Sequence, residues 1–157
     1  MNWVTQQVVD LSPKAPVLEV GSRDINGTIR DLFPQEDYLG IDLEAGPGTD
    51  LVLDIINDDI SELENRFNTV VATETLEHMT QPWVGVESMH KALKRGGLII
   101  LTWVFACQIH NEPDYWRGTP SAMHFLLENV GFADIHVEKE GGTDRSPVGI
   151  FATARRR

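Results

Sequence analysis

Apolar residues along this chain fall into short runs broken by polar, glycine- or proline-bearing segments, a pattern that predicts strands alternating with helices. Trp3, Val4, Gln7, Val8 and Leu11 share one helical face, which predicts a lead-in helix within residues 1–12, ended by Ser12-Pro13. Val17–Val20, opened by Pro16, reads as the first strand, Tyr38–Asp42 as the second, and residues 51–54, 69–72 and 98–104 as the third to fifth. A short helix is predicted over 28–33, stopped by Pro34, and the polar segment 44–50 carries no helical pattern. Asp58 or Asp59 can cap a helix through 63–66, and an apolar stripe over 84–94 predicts a longer one, closed by Arg95-Gly96-Gly97. Residues 121–130 read as a last helix stopped by Gly131, followed by strands at 135–138 and 149–153 joined across Glu140-Gly141-Gly142. Strands alternating with helices imply an α/β domain spanning 1–157, its core at 16–154, with helices on both faces of a mostly parallel sheet.

In such sheets ligands bind at the carboxyl ends of the strands. Polar groups stand at four predicted strand ends, as Glu19, Asp42, Asp54 and Thr73-Glu74. A charged group on a strand buried on both faces is costly unless it reaches the sheet edge and finds a partner. The first strand runs into Gly21-Ser22-Arg23-Asp24-Ile25-Asn26-Gly27, where glycine permits torsions and close approach that a side chain would block. Glu19 and Asp24 make that loop acidic, which repels a pyrophosphate and suits an ammonium or sulfonium group. Asp42 follows Gly21 by about 20 residues, the spacing at which a strand-final acid can accept hydrogen bonds from ribose hydroxyls. Capping of its own loop is the plainer alternative for Asp42, as it is for Asp54, whose other role is to accept from an adenine amine while Ile55 packs on the ring. His78 reads first as a loop anchor.

The net charge of −11 argues against sequence-independent binding to nucleic acid or anionic lipid, both of which need clustered basic residues. Arg155-Arg156-Arg157 is the basic cluster and reads as a solvated end. Cys107 is the single cysteine, so no internal disulfide forms and a reducing compartment is compatible. The longest apolar run, 98–107, is roughly half of the ~20 residues a membrane span requires, and no secretory pattern opens the sequence, so a cytoplasmic location without a membrane anchor is expected. The histidines are scattered and no His or Cys pair has ligand spacing, so no metal site is expected.

Glu19-Val20-Gly21, Ile41-Asp42, Glu74-Thr75-Leu76-Glu77-His78 and Leu93-Lys94-Arg95-Gly96-Gly97, in this order, resemble the class I S-adenosylmethionine-dependent methyltransferases, particularly the type 11 group. The resemblance runs from about Val17 to about Thr153. It implies a single-domain Rossmann-like fold with an antiparallel last strand and S-adenosylmethionine as cofactor; the acidic balance and the lack of a long amphipathic segment leave small metabolites, sugars and proteins as acceptors, a small molecule foremost. By matching position it implies cofactor contacts at Glu19, Gly21, Ser22, Arg23, Asp24, Asp42, Leu43, Asp54, Ile55, Thr73 and Glu74. The family's glycine-x-glycine-x-glycine loop is altered here, with Arg23 at the middle glycine and the last glycine displaced to Gly27. The stretch from His110 to Pro120, with Tyr115-Trp116-Arg117 inside it, resembles the segment that borders the family's acceptor pocket. His110 and Tyr115 are the acceptor-side base candidates. The plainer reading packs Tyr115 and Trp116 under the loop and pairs Arg117 with an acid. Two rival functions stay open: a nicotinamide-dependent dehydrogenase, disfavoured by Arg23 and Asp24 where a pyrophosphate loop needs glycines, and a non-catalytic cofactor-binding module or subunit of a larger assembly.

Overall fold

The computed structural model describes residues 2–25 and 27–157, with the side chains of residues 2–4 and 7 outside the description, so Trp3, Val4 and Gln7 of the predicted helical face fall there. The elements are α1 (Asn2–Leu11), β1 (Val17–Val20), β2 (Tyr38–Asp42), β3 (Leu51–Val52), β4 (Phe67–Ala72), α2 (Pro82–Ala92), β5 (Leu93–Val104), α3 (Pro120–Val130), β6 (Phe132–Glu140) and β7 (Gly149–Arg156). All strands join one seven-stranded sheet in the order β3-β2-β1-β4-β5-β7-β6. Strands β1 to β5 pair in parallel, while β7 runs antiparallel to both β5 and β6. This is the expected Rossmann-like α/β architecture.

Alternation along the central strands divides the interior into two cores, because successive side chains leave a strand on opposite faces. Leu18, Val70, Ile99 and Leu101 belong to the larger core, which takes in Val86 and Met89 of α2 and Met123 and Leu127 of α3. Val17, Val71, Leu98 and Ile100 face the other way with Ile29, Phe33 and Tyr38, and there Val8 and Leu11 of α1 lie against them. Full burial of each such aliphatic side chain contributes about 1.5–3 kcal/mol. Helix α3 is delimited by local chemistry: the Thr119 hydroxyl accepts from the Ala122 amide at 3.1 Å, Pro120 occupies the first turn, and Gly131 closes the helix at φ 105°.

The departures from the sequence expectations have physical causes. Between Gly27 and Pro34 too few residues remain to nucleate an α-helix, and only a 3₁₀ turn forms at Arg30–Leu32. The helix expected over 63–66 is a 3₁₀ turn at Ser61–Leu63, opened by Asp59, whose carboxylate accepts from the Ser61 amide at 2.9 Å. Asn65, at φ 53°, turns the chain out of it and Phe67 is already paired in β4. Strand β3 keeps only Leu51–Val52, because Asp54 folds into a turn of its own. Helix α2 stops at Ala92 rather than continuing to Lys94: Leu93 pairs with Phe67, and the register then jumps to Thr69 against Leu98, so residues 94–97 form an irregularity within β5. Strands β4, β6 and β7 extend beyond their predicted limits.

Candidate functional site

Strand order reverses between β1 and β4, the position at which open α/β sheets hold ligands. A cavity of about 690 Å³ opens there, walled by the segments that follow β1, β2, β3, β4 and β5. Its volume lies in the ~300–1,000 Å³ range of small-molecule sites. Among the expected cofactor residues, Glu19, Gly21, Ser22, Arg23, Asp42, Leu43, Asp54, Ile55, Thr73 and Glu74 line it, as do His110 and Tyr115. Asp24 does not: its carboxylate accepts from the Gly27 amide at 2.9 Å and serves the loop.

Glu19 lies on the face of β1 opposite Leu18, only 5% exposed, and accepts a hydrogen bond from Tyr38 Oη at 2.8 Å. Burial pushes its carboxyl up to about 7, against the lowering effects of the Tyr38 hydrogen bond and the Arg30 guanidinium. Burial also drives the Tyr38 phenol upward, with the Glu19 charge adding to it. The fold therefore favours neutral Glu19. Stability from this group is fully present below its ordinary value of 4.5 and is lost as pH rises through about 7. In that window the loss approaches ~1 kcal/mol per pH unit. Urea melts across it should show wild type losing stability relative to Glu19→Gln as pH rises; parallel curves would refute the assignment.

Gly21 has φ 76°, a conformation L side chains rarely adopt. The space that a Cβ would need is filled from β4's end: Thr75 Oγ1 lies 2.4 Å from that point. Glycine is demanded here by Thr75 as well as by any ligand. Asp42 accepts from the Arg23 amide on Oδ2 and from the Glu44 amide on Oδ1, both at 3.1 Å. Arg23 in turn pairs with Glu44. The capping alternative for Asp42 is thus realised, yet a carboxylate accepts about four hydrogen bonds, so lone pairs remain for a ligand.

Asp54 is similarly occupied. Its Oδ1 accepts from the Ile56 amide at 2.8 Å and the Asn57 amide at 3.3 Å, and its Oδ2 from Asn57 Nδ2 at 2.8 Å. Partial burial pushes its carboxyl up, but those hydrogen bonds outweigh it and hold the group below the usual range. Beside it Ile55 is buried while Leu43 is 64% exposed on the cavity wall.

At the far end of the cavity the segment after β5 folds back onto the turn after β4. His78 Nδ1 bonds the Pro113 carbonyl at 2.8 Å, the loop-anchoring role expected of it. The Tyr115 amide donates to the Glu77 carbonyl and Trp116 Nε1 to the Met79 carbonyl, at 2.8 and 2.9 Å. Arg117 grips Asp114, whose carboxyl is held far below the usual range by that hydrogen bond. Trp116 and Arg117 thus take the plainer structural roles, whereas Tyr115, half exposed, lines the cavity. The same folding back brings His110 beside Glu77 and His78, with one ligand atom from each within 4.8 Å of the others. Sequence spacing gave no sign of this cluster, because His110 lies beyond the whole of β5.

No family model matches this chain, and no curated protein does. Its fold matches solved structures. One is the 1,6-didemethyltoxoflavin-N1-methyltransferase of Burkholderia thailandensis, bound to 1,6-didemethyltoxoflavin and S-adenosylhomocysteine: TM-score 0.74, 16% identity, covering 96% of this chain and 75% of that one. A second is the N-methyltransferase NodS of Bradyrhizobium japonicum WM9 with S-adenosylhomocysteine: TM-score 0.72, 18% identity, covering 99% and 86%. A third is the CurJ carbon methyltransferase, at TM-score 0.74 and 17% identity, where 99% of this chain spans only 54% of that structure, about half its length. The chain has the Rossmann-like fold that these methyltransferases share. Among the described residues no helix is long and apolar enough to cross a membrane.

Proposed function

We propose that this chain is an S-adenosylmethionine-dependent methyltransferase of the class I type, in the type 11 group by its motif order, acting on a small molecule in the cytoplasm. The observation that carries this reading is the gathering of Glu19, Asp42, Asp54 and Glu74 along one cavity at the carboxyl edge of the sheet. That donor set suits a ligand combining a cationic end with a vicinal diol, and it opposes a phosphate. Leu43 and Ile55 give an apolar purine a surface, while Asp54 keeps acceptor capacity for an exocyclic amine. The S-adenosylhomocysteine bound in the toxoflavin and NodS enzymes supports the same choice of cofactor.

When bound, the cofactor supplies an electrophilic methyl group to a nucleophile that approaches in line. The chain's own part is positional: Asp42 fixes one end of the donor, Glu19 and the Gly21-Ser22-Arg23 backbone the other, and Thr73 and Glu74 floor the cavity between them. His110 and Tyr115 line the cavity, and they are the base candidates on the acceptor side: His110 through Nε2, Tyr115 only in its phenolate form. Binding of a cationic donor draws Glu19 into its charged form, so donor affinity rises with pH up to about 7.

Calorimetry separates this reading from a dehydrogenase. S-adenosylmethionine and S-adenosylhomocysteine are expected to bind with micromolar or tighter affinity and NAD not to bind; preferential NAD binding would overturn the proposal. A panel of small acceptors followed by S-adenosylhomocysteine release then tests turnover. Tight cofactor binding with no turnover across a broad panel favours the binding module instead.

A further inference from the structure

We propose that Glu77, His78 and His110 form a site for a divalent first-row transition cation, with its open coordination positions facing the cavity. Glu77 is fully buried, and neither of its carboxylate oxygens has a hydrogen-bond partner. A buried carboxylate left in that state costs several kcal/mol unless a cation or a proton meets it. Among the described residues no cation stands within hydrogen-bond distance of it. The nearest base is His110, whose Nε2 stands 3.8 Å from Glu77 Oε1.

Each imidazole is held through its Nδ1. His78 Nδ1 meets the Pro113 carbonyl at 2.8 Å and His110 Nδ1 meets the Gln108 carbonyl at 3.1 Å. A carbonyl oxygen only accepts, so each Nδ1 carries the proton and each neutral ring keeps its lone pair on Nε2. Asp114 stands behind His110, with Oδ2 at 3.5 Å from Nδ1 and at 3.1 Å from the His110 amide, and is itself clamped by Arg117. A carboxylate or carbonyl behind a ligating histidine is the usual outer support of a metal site. Two imidazoles and one carboxylate with a position left open is the donor set of catalytic zinc and of non-haem iron(II) centres. Zinc bonds of about 2.0–2.2 Å require the three ligand atoms, now within 4.8 Å of one another, to close on the ion. His78 and His110 line the cavity whereas Glu77 lies beneath them, so the open side faces whatever occupies the acceptor end. With the cation bound, His110 Nε2 is a ligand and is no longer free to accept a proton.

The alternative occupant of this space is a proton, on His110 or on Glu77 itself. Titration of the chelator-treated protein with zinc ion in a calorimeter decides between them, with cobalt(II) absorption as a second readout. One ion per chain is expected, together with the visible bands of a four- or five-coordinate cobalt site and a raised melting temperature. Glu77→Gln keeps the shape while deleting the buried charge and should lower zinc affinity at least about tenfold, as should His110→Ala. A variant carrying His124→Ala and His136→Ala removes the exposed His124–Glu128 and His136–Glu138 pairs and should bind zinc unchanged. Absence of saturable uptake, affinity unchanged in both Glu77→Gln and His110→Ala, or loss confined to the His124/His136 variant would each overturn the proposal. Should Glu77→Gln fail to fold, His110→Ala and the cobalt spectrum carry the test. No methyl donor is present in these titrations, so their outcome is independent of the methyltransferase reading.

Discussion

Asp42→Ala should weaken S-adenosylhomocysteine binding by about a hundredfold or more. The carboxylate already accepts one backbone amide on each oxygen, from Arg23 and from Glu44, and these bonds aim its remaining lone pairs into the cavity. Two hydrogen bonds from a ribose diol to an ionised acceptor contribute ~1.5–3 kcal/mol each, and losing about 2.7 kcal/mol corresponds to a hundredfold. Part of the loss will come from the loop, since the Arg23 amide also loses its acceptor. Asp42→Asn keeps one oxygen for a loop amide but turns a donor toward the other, so it should lose less thermal stability than Asp42→Ala while still losing at least tenfold in affinity. Calorimetry on both variants, beside melting curves, checks this. Affinity within a factor of about three of wild type in Asp42→Ala would remove the ribose role.

The sheet was legible because its strands obey simple rules. Val17–Val20 and Tyr38–Asp42 are short apolar runs bounded by turn residues, and the structure places both within those limits. The helices on the edge of α2 and before β4 were less legible for a single reason: their ends are set by pairing with distant residues. Leu93 leaves α2 because Phe67 claims it, a contact no local pattern announces. At the cavity, side chains that end strands could be placed by sequence, since a parallel sheet brings all such ends to one edge. What they touch there could not. Asp24 looked like part of an acidic loop but is spent on the Gly27 amide, and Asp54 is bound up in its own turn. The Glu77–His78–His110 cluster is the extreme case, since it exists only because the segment after β5 folds back on the turn after β4.

That same turn makes Gly21 intolerant of change. Gly21→Ala should destabilise the protein by ~2–4 kcal/mol through two separable effects. The first is conformational: at φ 76° an alanine costs roughly 1–2 kcal/mol. The second is steric, because the new Cβ would lie 2.4 Å from Thr75 Oγ1, 2.7 Å from its Cγ2 and 3.1 Å from its Cβ. Thr75 has little freedom to withdraw, since its hydroxyl is held by the Val20 and Thr73 carbonyls at 3.2 and 3.0 Å. In a chain of this size the sum corresponds to a fall in melting temperature on the order of 10 °C. Thr75→Ala removes the two closest atoms and leaves the backbone torsion untouched. In the double variant Gly21→Ala with Thr75→Ala, the steric part should therefore disappear and the conformational part remain, giving a coupling energy of ~1–2 kcal/mol between the two sites. Additive losses in that cycle would show that the threonine does not dictate the glycine. Because Thr75 and Gly21 both wall the cavity, the single Gly21→Ala variant should also lose cofactor affinity at temperatures where it is still folded, and the double variant should recover part of it.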